Sequence, residues 1–176
     1  MFIEVLVAAI IVGLLSRGKL ANLGRLDFRY VYVIFAAFLI QVGIDFWAPR
    51  QGFWGYPYLH IVSYILLFFA LIRNRRLPGV SLILAGTALN FVVVALNGGQ
   101  MPVRADIIPT QLAAALAAGH GGTHGLLTGA TRLGFLADRI YISFLNQNQL
   151  VSLGDIVIDL GVLILVILGM RKAQEI

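Results

Sequence analysis

The chain has 176 residues, of which 60% are apolar and 12% are charged, and it contains no cysteine. Soluble domains average about 45–50% apolar and roughly 25% charged residues, so this composition is typical of an integral membrane protein. The length corresponds to one domain, which we assign to residues 1–176. A chain without cysteine cannot use disulfides, thiolate metal ligands, a cysteine nucleophile or a cysteine-attached lipid anchor.

Apolar runs along the chain predict an all-α fold, a polytopic membrane helix bundle with about five transmembrane helices. A spanning helix needs about 20 apolar residues, and the first run is short by this measure. That run lacks a basic leader and a small-residue cleavage pattern, so we interpret it as a retained helix and not as a signal peptide. The predicted spans are residues 2–16, 30–47, 57–72, 78–96 and 155–170.

The basic residues predict the orientation of this bundle. They cluster after the first span, between the third and fourth spans, and at the C-terminus: Arg17, Lys19, Arg25, Arg29, Arg73, Arg75, Arg76, Arg171 and Lys172. Cytoplasmic loops carry an excess of lysine and arginine, and five spans place all three clusters on one side. We therefore expect a multi-pass protein of the cell membrane with its N-terminus outside and its C-terminus in the cytoplasm. The net charge of +5 is then a topology signal, and we expect membrane lipids and not nucleic acid as partners.

The segment of residues 97–154, between the fourth and fifth spans, would lie outside the cell. A structureless loop of this length is unusual in a compact domain, so we expect it to be folded or functional. Residues 107–118 are rich in alanine and leucine and predict a short interfacial helix. After several glycines, residues 126–137 form a second apolar piece that predicts a re-entrant or interfacial element.

Acidic and amide side chains at the outer ends of the spans are the candidate functional residues. Asp155 and Asp159 are four residues apart at the start of span five and therefore share a helix face. Ionisable groups inside a span are costly and mark functional sites. The alternatives are a helix cap for Asp155 and a buried ion pair with an arginine for Asp159. Asn97 precedes two glycines, which favours either a substrate-binding loop or a plain turn.

The histidines do not indicate a metal site or a cofactor, and we expect neither. His120 and His124 have the helical spacing of zinc ligands, but the glycines between them disfavour a helix. His60 is interpreted as a hydrogen-bonded core histidine, with a haem or chlorophyll ligand as the alternative. The motifs of serine hydrolases and of phosphate-binding loops do not occur.

Four segments together resemble a family of small bacterial five-span membrane proteins of unknown function. Their sequences are R-N-R-R-L-P-G (residues 73–79), N-G-G-Q-M-P-V (97–103), T-R-L-G-F-L-A-D (131–138) and S-L-G-D-I-V-I-D-L-G (152–161). This resemblance covers almost the whole chain. It implies the five-span fold and does not imply an activity.

The C-terminal half also resembles lipoprotein signal peptidase, the aspartic peptidase of bacterial membranes. In that family one catalytic aspartate lies in a G-N-x-x-D-R pattern, and the other opens the last span in F-N-x-A-D-x-x-I-x-x-G. Residues 134–139 and 151–161 are similar to these patterns, with Phe135 and Ser152 in place of the two asparagines. The resemblance implies that Asp138 and Asp155 are the catalytic pair.

The same resemblance suggests substrate-binding residues. Asn97 and Gly99 are similar to a substrate loop of the peptidase, and we add Arg139 and Asp159 as candidates. Two carboxyl groups held close cannot both ionise, so the pair would share a proton; its ionised member would activate water while the other polarises a carbonyl. The substrate would be a membrane-anchored peptide or a lipid-linked molecule reached from the outer leaflet. The open alternative is a non-enzymatic small subunit or assembly factor of a larger membrane complex.

This chemistry requires the outer segment to fold back onto the bundle. We expect it to bring Asp138 and Asp155 together, near Asn97 and one or more of Arg104, Arg132 and Arg139.

Overall fold

The computed structural model describes residues 2–51, 56–144 and 147–171, and most of these residues are helical. Within these ranges the α-helices are α1 (Phe2–Leu15), α2 (Val31–Gln51), α3 (Tyr56–Arg73), α4 (Val80–Leu96), α5 (Thr110–Ala117) and α6 (Leu153–Arg171). All except α5 coincide with a predicted span, and α2 extends beyond the predicted end at residue 47 to Gln51. By length and composition, α3 and α6 could cross a membrane, while α1, α4 and the apolar part of α2 are shorter. Five crossings stay a prediction.

Glycines allow α4 and α6 to pack closely in antiparallel directions. Gly79 lies against Gly161, and Gly86 lies against Gly154. The two glycines on each side are seven residues apart in the sequence. A Cβ atom added to Gly86 would lie 2.7 Å from Cγ1 and 2.8 Å from the backbone nitrogen of Ile158. Small residues at such contacts let helix backbones approach in membranes. The contact sets the start of α6 against the middle of α4.

The basic clusters lie together at one end of the bundle. α6 packs between α1 and α4, and α3 packs between α2 and α4. The backbone nitrogen of Lys19 donates to the carbonyl of Met170 at 3.0 Å, which joins the end of α1 to the end of α6. The side chain of Asn74 bonds the backbone of Arg29 at 2.8 and 2.7 Å, which joins the loop after α3 to the start of α2. We call this the basic end; Lys172 lies outside the described residues.

Large apolar side chains cover the outer surfaces of the helices. Leu15 of α1 is 80% exposed, Leu39 of α2 is 70% exposed and Tyr58 of α3 is 77% exposed. The helix α2 also exposes Val31, Tyr32, Phe35, Phe38, Val42, Phe46 and Trp47. Soluble monomers rarely expose contiguous apolar patches above a few hundred Å². This surface therefore suits contact with lipid.

The segment of residues 97–154 contains β-structure that the sequence analysis does not predict. Strands β1 (Met101–Val103) and β2 (His124–Leu126) pair in parallel, and strands β3 (Ile140–Phe144) and β4 (Gln147–Val151) pair antiparallel. The helix predicted at 107–118 is present as the shorter α5. The apolar piece 126–137 is a strand end and turns, with one 3-10 turn at Gly134–Leu136. Helices alone are the wrong expectation here, because short apolar runs do not distinguish strands from helices.

A small apolar cluster attaches this segment to the bundle. Val93 and Val94 of α4 are buried against Met101 of β1, and Ile61, Tyr64, Leu133 and Leu136 pack around them. The segment is therefore a folded layer at the end of the bundle opposite to the basic end.

Candidate active site

Asp155 lies in the first turn of α6 and forms a reciprocal cap with Ser152. The backbone nitrogen of Asp155 donates to Ser152 Oγ at 3.0 Å, and the backbone nitrogen of Ser152 donates to Asp155 Oδ2 at 2.9 Å. Asn90 of α4 completes the group: its Nδ2 donates to Asp155 Oδ1 at 2.7 Å, and its Oδ1 accepts from the Ser152 hydroxyl at 2.8 Å. Both carboxyl oxygens of Asp155 thus have donors, as in a capping box.

Asp138 is held beside β1 by its backbone. Its nitrogen donates to the carbonyl of Pro102 at 3.0 Å, and its carbonyl accepts from the nitrogen of Arg104 at 3.3 Å. The residue is only 6% exposed, and its Oδ1 is buried without a hydrogen-bond partner among the described residues. Nearly all buried polar atoms have partners, so this oxygen is an exception that needs a functional or structural reason.

The pairing around β1 brings His124 to Asp138. Val103 is aligned with Leu126 of β2 and, on the other edge of β1, with Asp138. His124 is two residues before Leu126, so its side chain is on the same face of the sheet as that of Asp138. The distance from His124 Nε2 to Asp138 Oδ2 is 3.7 Å.

Thr123 connects His124 to α2. The backbone nitrogen and the hydroxyl of Thr123 both donate to Asp45 Oδ1, at 2.9 and 2.7 Å. The same hydroxyl oxygen lies 2.9 Å from His124 Nδ1. We call the four residues Asp45, Thr123, His124 and Asp138 the polar chain.

Asp138 and His124 line a cavity of about 780 Å³. Its other walls come from the turn before α5, from α5, and from the β3–β4 hairpin, and they include Ile107, Ile108, Leu112, Leu116, Tyr141 and Leu150. This volume lies within the range of roughly 300–1,000 Å³ that is usual for small-molecule sites. The cavity is therefore mainly apolar, and the polar side chains in its wall include Asp138, His124, Asp106 and Gln149.

Burial, and secondarily the nearby Asp155 carboxyl, raises the pKa of Asp138 from 3.8 to about 8. The His124 side chain is accessible from the cavity that it lines, but the surrounding protein desolvates its imidazole and lowers the pKa of His124, and the charges of Asp45 and Asp155 partly oppose this change. At neutral pH the cavity wall therefore carries a protonated carboxyl group and a neutral imidazole. Asp155 acts on Asp138 electrostatically, but the two carboxyl groups share no hydrogen bond within the described ranges.

Comparison with known proteins gives a family but no activity. The family of unknown function DUF5317 matches residues 25–167, which include the whole polar chain and exclude α1. The chain belongs to the DUF5317 family. A protein of Thermotoga maritima, described as an uncharacterized protein, is 28% identical, and the alignment covers 97% of this chain and 93% of the relative. No solved structure matches. The resemblance to an uncharacterised family is thus confirmed, and the resemblance to signal peptidase stays a prediction.

In this DUF5317 member, Asn97 and Gly99 make structural contacts away from the 780 Å³ cavity. The Asn97 amide bonds the backbone nitrogen and carbonyl of Arg132, each at 2.9 Å. Gly99 has a φ of +83°, and its carbonyl lies 2.7 Å from Nδ1 of His60, which confirms the hydrogen-bonded core interpretation of that histidine. Asn97 also borders a second cavity of about 250 Å³. Substrate binding by Asn97 and Gly99 stays a prediction.

The expected arginine beside Asp138 is not observed. Arg104 pairs with Asp106, through its Nε at 2.9 Å from Oδ1 and a second contact of its Nη2. Arg139 is exposed, and its charge contributes to lowering the pKa of Asp106. Among the described residues, the basic group that faces Asp138 is therefore His124.

Asp159 lies one turn further along α6 than Asp155 and is 7% exposed. It lines neither cavity, and no ion pair with an arginine is seen in the part of the chain that the structure describes. Its electrostatic neighbours are Asp155 and Glu4 of α1. Asp159 is thus separate from the wall that carries Asp138.

Three residues of the polar chain, Asp45, Thr123 and His124, are not predicted from the sequence as members of this site. The spacing of His124 from His120 suggests only a metal ligand. Among the described residues, however, no group of three or more metal-binding side chains occurs. Asp45 and Thr123 are 78 positions apart, and their contact depends on the pairing of β1 with β2. No local pattern in the sequence signals this contact.

Proposed function

We propose that this protein is a five-span membrane hydrolase with its active site at the outer face of the membrane. The exposed apolar side chains of the helices support membrane insertion. Collection of the basic loops at one end supports an N-terminus outside and a C-terminus in the cytoplasm. The folded layer of residues 97–154 then faces outward.

The observation that carries the hydrolase proposal is the environment of Asp138. It is buried in the wall of a mainly apolar cavity, one of its carboxyl oxygens has no partner among the residues that the structure describes, and its pKa is raised to about 8. A carboxyl group protonated at neutral pH can donate a hydrogen bond to a substrate carbonyl and polarise it. Asp155 is the second acid of the proposed pair, and its charge favours the protonated form of Asp138.

The cavity walls suggest the class of substrate. Most of the side chains around Asp138 and His124 are apolar, with Asp106 and Gln149 as further polar members of the wall, and the cavity belongs to the layer that borders the membrane in the proposed topology. We propose a membrane-anchored peptide or a lipid-linked molecule that enters from the outer leaflet. Arg139 follows Asp138 in the sequence and is exposed outside the cavity lining; we propose that it would contact a polar or anionic part of such a molecule outside the cavity, while Asn97, Gly99 and Asp159 would act indirectly through the backbone and α6.

The topology is testable because the chain contains no cysteine. Single cysteines replace the exposed residues Arg25 and Arg75 at the basic end, and Gln111 and Ala118 in the outer layer. An impermeant thiol reagent should label only positions 111 and 118 in intact cells and all four positions in permeabilised cells. Labelling of positions 25 or 75 in intact cells contradicts the proposed orientation.

The hydrolase proposal is tested with Asp138→Asn, which changes the volume little. The variant should insert and fold like the wild type, and the cells should accumulate an uncleaved membrane protein or lipid that is processed in wild-type cells. The matched control is Asp27→Asn, an exposed acid at the basic end, which should leave the membrane profiles unchanged. If Asp138→Asn also leaves them unchanged, the hydrolase proposal is wrong. Co-purification with a larger complex then becomes the measurement that tests a subunit role.

A further inference from the structure

The hydrogen bonds of the polar chain determine which nitrogen of His124 carries a proton. A threonine hydroxyl has one hydrogen to donate. The Thr123 hydroxyl donates it to Asp45 Oδ1, which lies at 2.7 Å and also accepts from the Thr123 backbone nitrogen. The 2.9 Å contact between Thr123 Oγ1 and His124 Nδ1 therefore requires Nδ1 to be the donor. In a neutral imidazole the proton is then on Nδ1, and Nε2 carries the lone pair.

This lone pair is directed to the part of the cavity that Asp138 occupies. The distance of 3.7 Å between His124 Nε2 and Asp138 Oδ2 is too long for a direct hydrogen bond. It is short enough for one oxygen atom of a bound molecule to contact both groups at normal hydrogen-bond lengths. The His124 side chain is 45% exposed, so a molecule in the cavity can reach it.

Asp155 is less suited to accept a proton from water. Its two carboxyl oxygens hold the Ser152 nitrogen and the Asn90 amide at 2.9 and 2.7 Å, and it does not line the cavity. A base in that position would have to give up its cap. His124 needs no such rearrangement.

We propose that His124 is the catalytic base of this site, with Asp138 as the acid, and that Thr123 and Asp45 are positioning residues that hold its lone pair toward the substrate. This inference rests on the proposed hydrolase function. Asp155 then does not activate water, and its role in the proposed pair is that of a charge that keeps the proton on Asp138.

The proton transfers balance over one hydrolytic cycle. The oxygen of a water molecule bonds to the carbonyl carbon while one of its protons passes to His124 Nε2, and Asp138 gives its proton to the carbonyl oxygen. When the bond from carbon to the leaving group breaks, His124 gives its proton to the leaving group. Asp138 regains a proton from the hydroxyl of the intermediate, which restores both groups.

The test is the protonation state of His124, measured by nitrogen NMR on the full-length protein labelled with ¹⁵N-histidine in lipid nanodiscs. The chain has three histidines, so His60→Gln, His120→Gln and His124→Gln assign the signals. At neutral pH His124 should show a protonated Nδ1 and an unprotonated Nε2. Free neutral histidine prefers the opposite form, so an Nε2–H signal from wild-type His124 overturns the inference.

Substitutions of Thr123 separate positioning from a structural role. Thr123→Val removes the hydroxyl at nearly constant volume and should shift His124 toward the Nε2–H form, whereas Thr123→Ser should preserve the wild-type form. Thr110→Val, at the start of α5, is the matched control and should change nothing. An unchanged His124 signal in a folded Thr123→Val protein also overturns the inference.

The two proposals fail in different measurements. Unchanged membrane profiles in Asp138→Asn cells reject the hydrolase function whatever the tautomer of His124. An Nε2–H form of His124 rejects its role as base even if Asp138→Asn cells accumulate a substrate.

Discussion

Replacement of Asp138 by asparagine should change how the stability of the protein depends on pH. In the folded protein the pKa of this carboxyl is about 8, against an ordinary value of 3.8. Between these values the folded state holds a proton that the unfolded state has lost. The contribution of Asp138 to stability is therefore greatest below pH 4 and is lost as the pH rises toward 8. An asparagine does not titrate and removes this dependence.

The shift in the pKa of Asp138 determines how strongly the free energy of unfolding depends on pH. One pKa unit corresponds to 1.36 kcal/mol, so the wild type should lose up to about 1.4 kcal/mol per pH unit relative to Asp138→Asn. Over the whole interval the ceiling is on the order of 5 kcal/mol. His124, whose pKa is lowered by burial, has the opposite dependence below its ordinary pKa of 6.5. Because His124 lies 3.7 Å from Asp138, the same comparison in a His124→Gln background removes the histidine and isolates Asp138.

The assay is unfolding by SDS in mixed micelles, followed by the loss of helical circular dichroism, at several pH values between 5 and 8. The free energy of unfolding of the wild type should fall relative to that of Asp138→Asn as the pH rises. Asp27→Asn, an exposed acid paired with Arg29, is the control and should follow the wild type. Parallel curves for the wild type and Asp138→Asn, or a wild type that gains stability with pH relative to Asp138→Asn, would refute the assignment of a buried, protonated Asp138.

Two further predictions concern stability at one pH. Asp155→Asn should lower the free energy of unfolding by about 1–3 kcal/mol, because an NH2 group replaces one of the two carboxyl oxygens that accept from the Ser152 nitrogen and the Asn90 amide. SDS unfolding at pH 7 measures this loss, and an unchanged midpoint contradicts the cap. Gly86→Ala should lower the free energy of unfolding by about 1–3 kcal/mol, because the new Cβ would lie 2.8 Å from the backbone nitrogen of Ile158. Gly43→Ala on α2 has no atom within 4 Å of its Cβ and should be neutral or stabilising in the same melting experiment; equal losses in both variants would reject the glycine contact.

Much of the helical part of the fold follows from local sequence. The five long apolar runs predict the positions of α1, α2, α3, α4 and α6. In lipid, a single apolar segment can hydrogen-bond its own backbone N–H and C=O groups only by forming a helix. The placement of Asp155 at the start of the last run similarly predicts the cap that the structure shows. The cause in both cases is local, because each depends on residues within one or two helical turns.

The outer layer is less predictable. β1 and β2 are three residues each, and their pairing joins positions 101–103 to 124–126. Strands this short carry no periodicity, and parallel pairing depends on contacts that close a loop of more than twenty residues. The convergence of Asp138 with His124 depends on the same pairing, so the local motif around Asp138 does not reveal its neighbour.

The sequence by itself determined the membrane-like composition, the helix positions and the grouping of the basic loops, because these depend on residue type and local spacing, and the resemblance to signal peptidase singled out Asp138 as a candidate residue. Only the tertiary structure decided that Asp155 shares its hydrogen bonds with Asn90, that Asn97 holds the backbone of Arg132, and that His124 and not an arginine faces Asp138. These contacts join residues 14 to 65 positions apart. Which residues meet depends on the glycine contacts and on the short strands that pack the outer layer onto the bundle. No local pattern in the sequence encodes this packing.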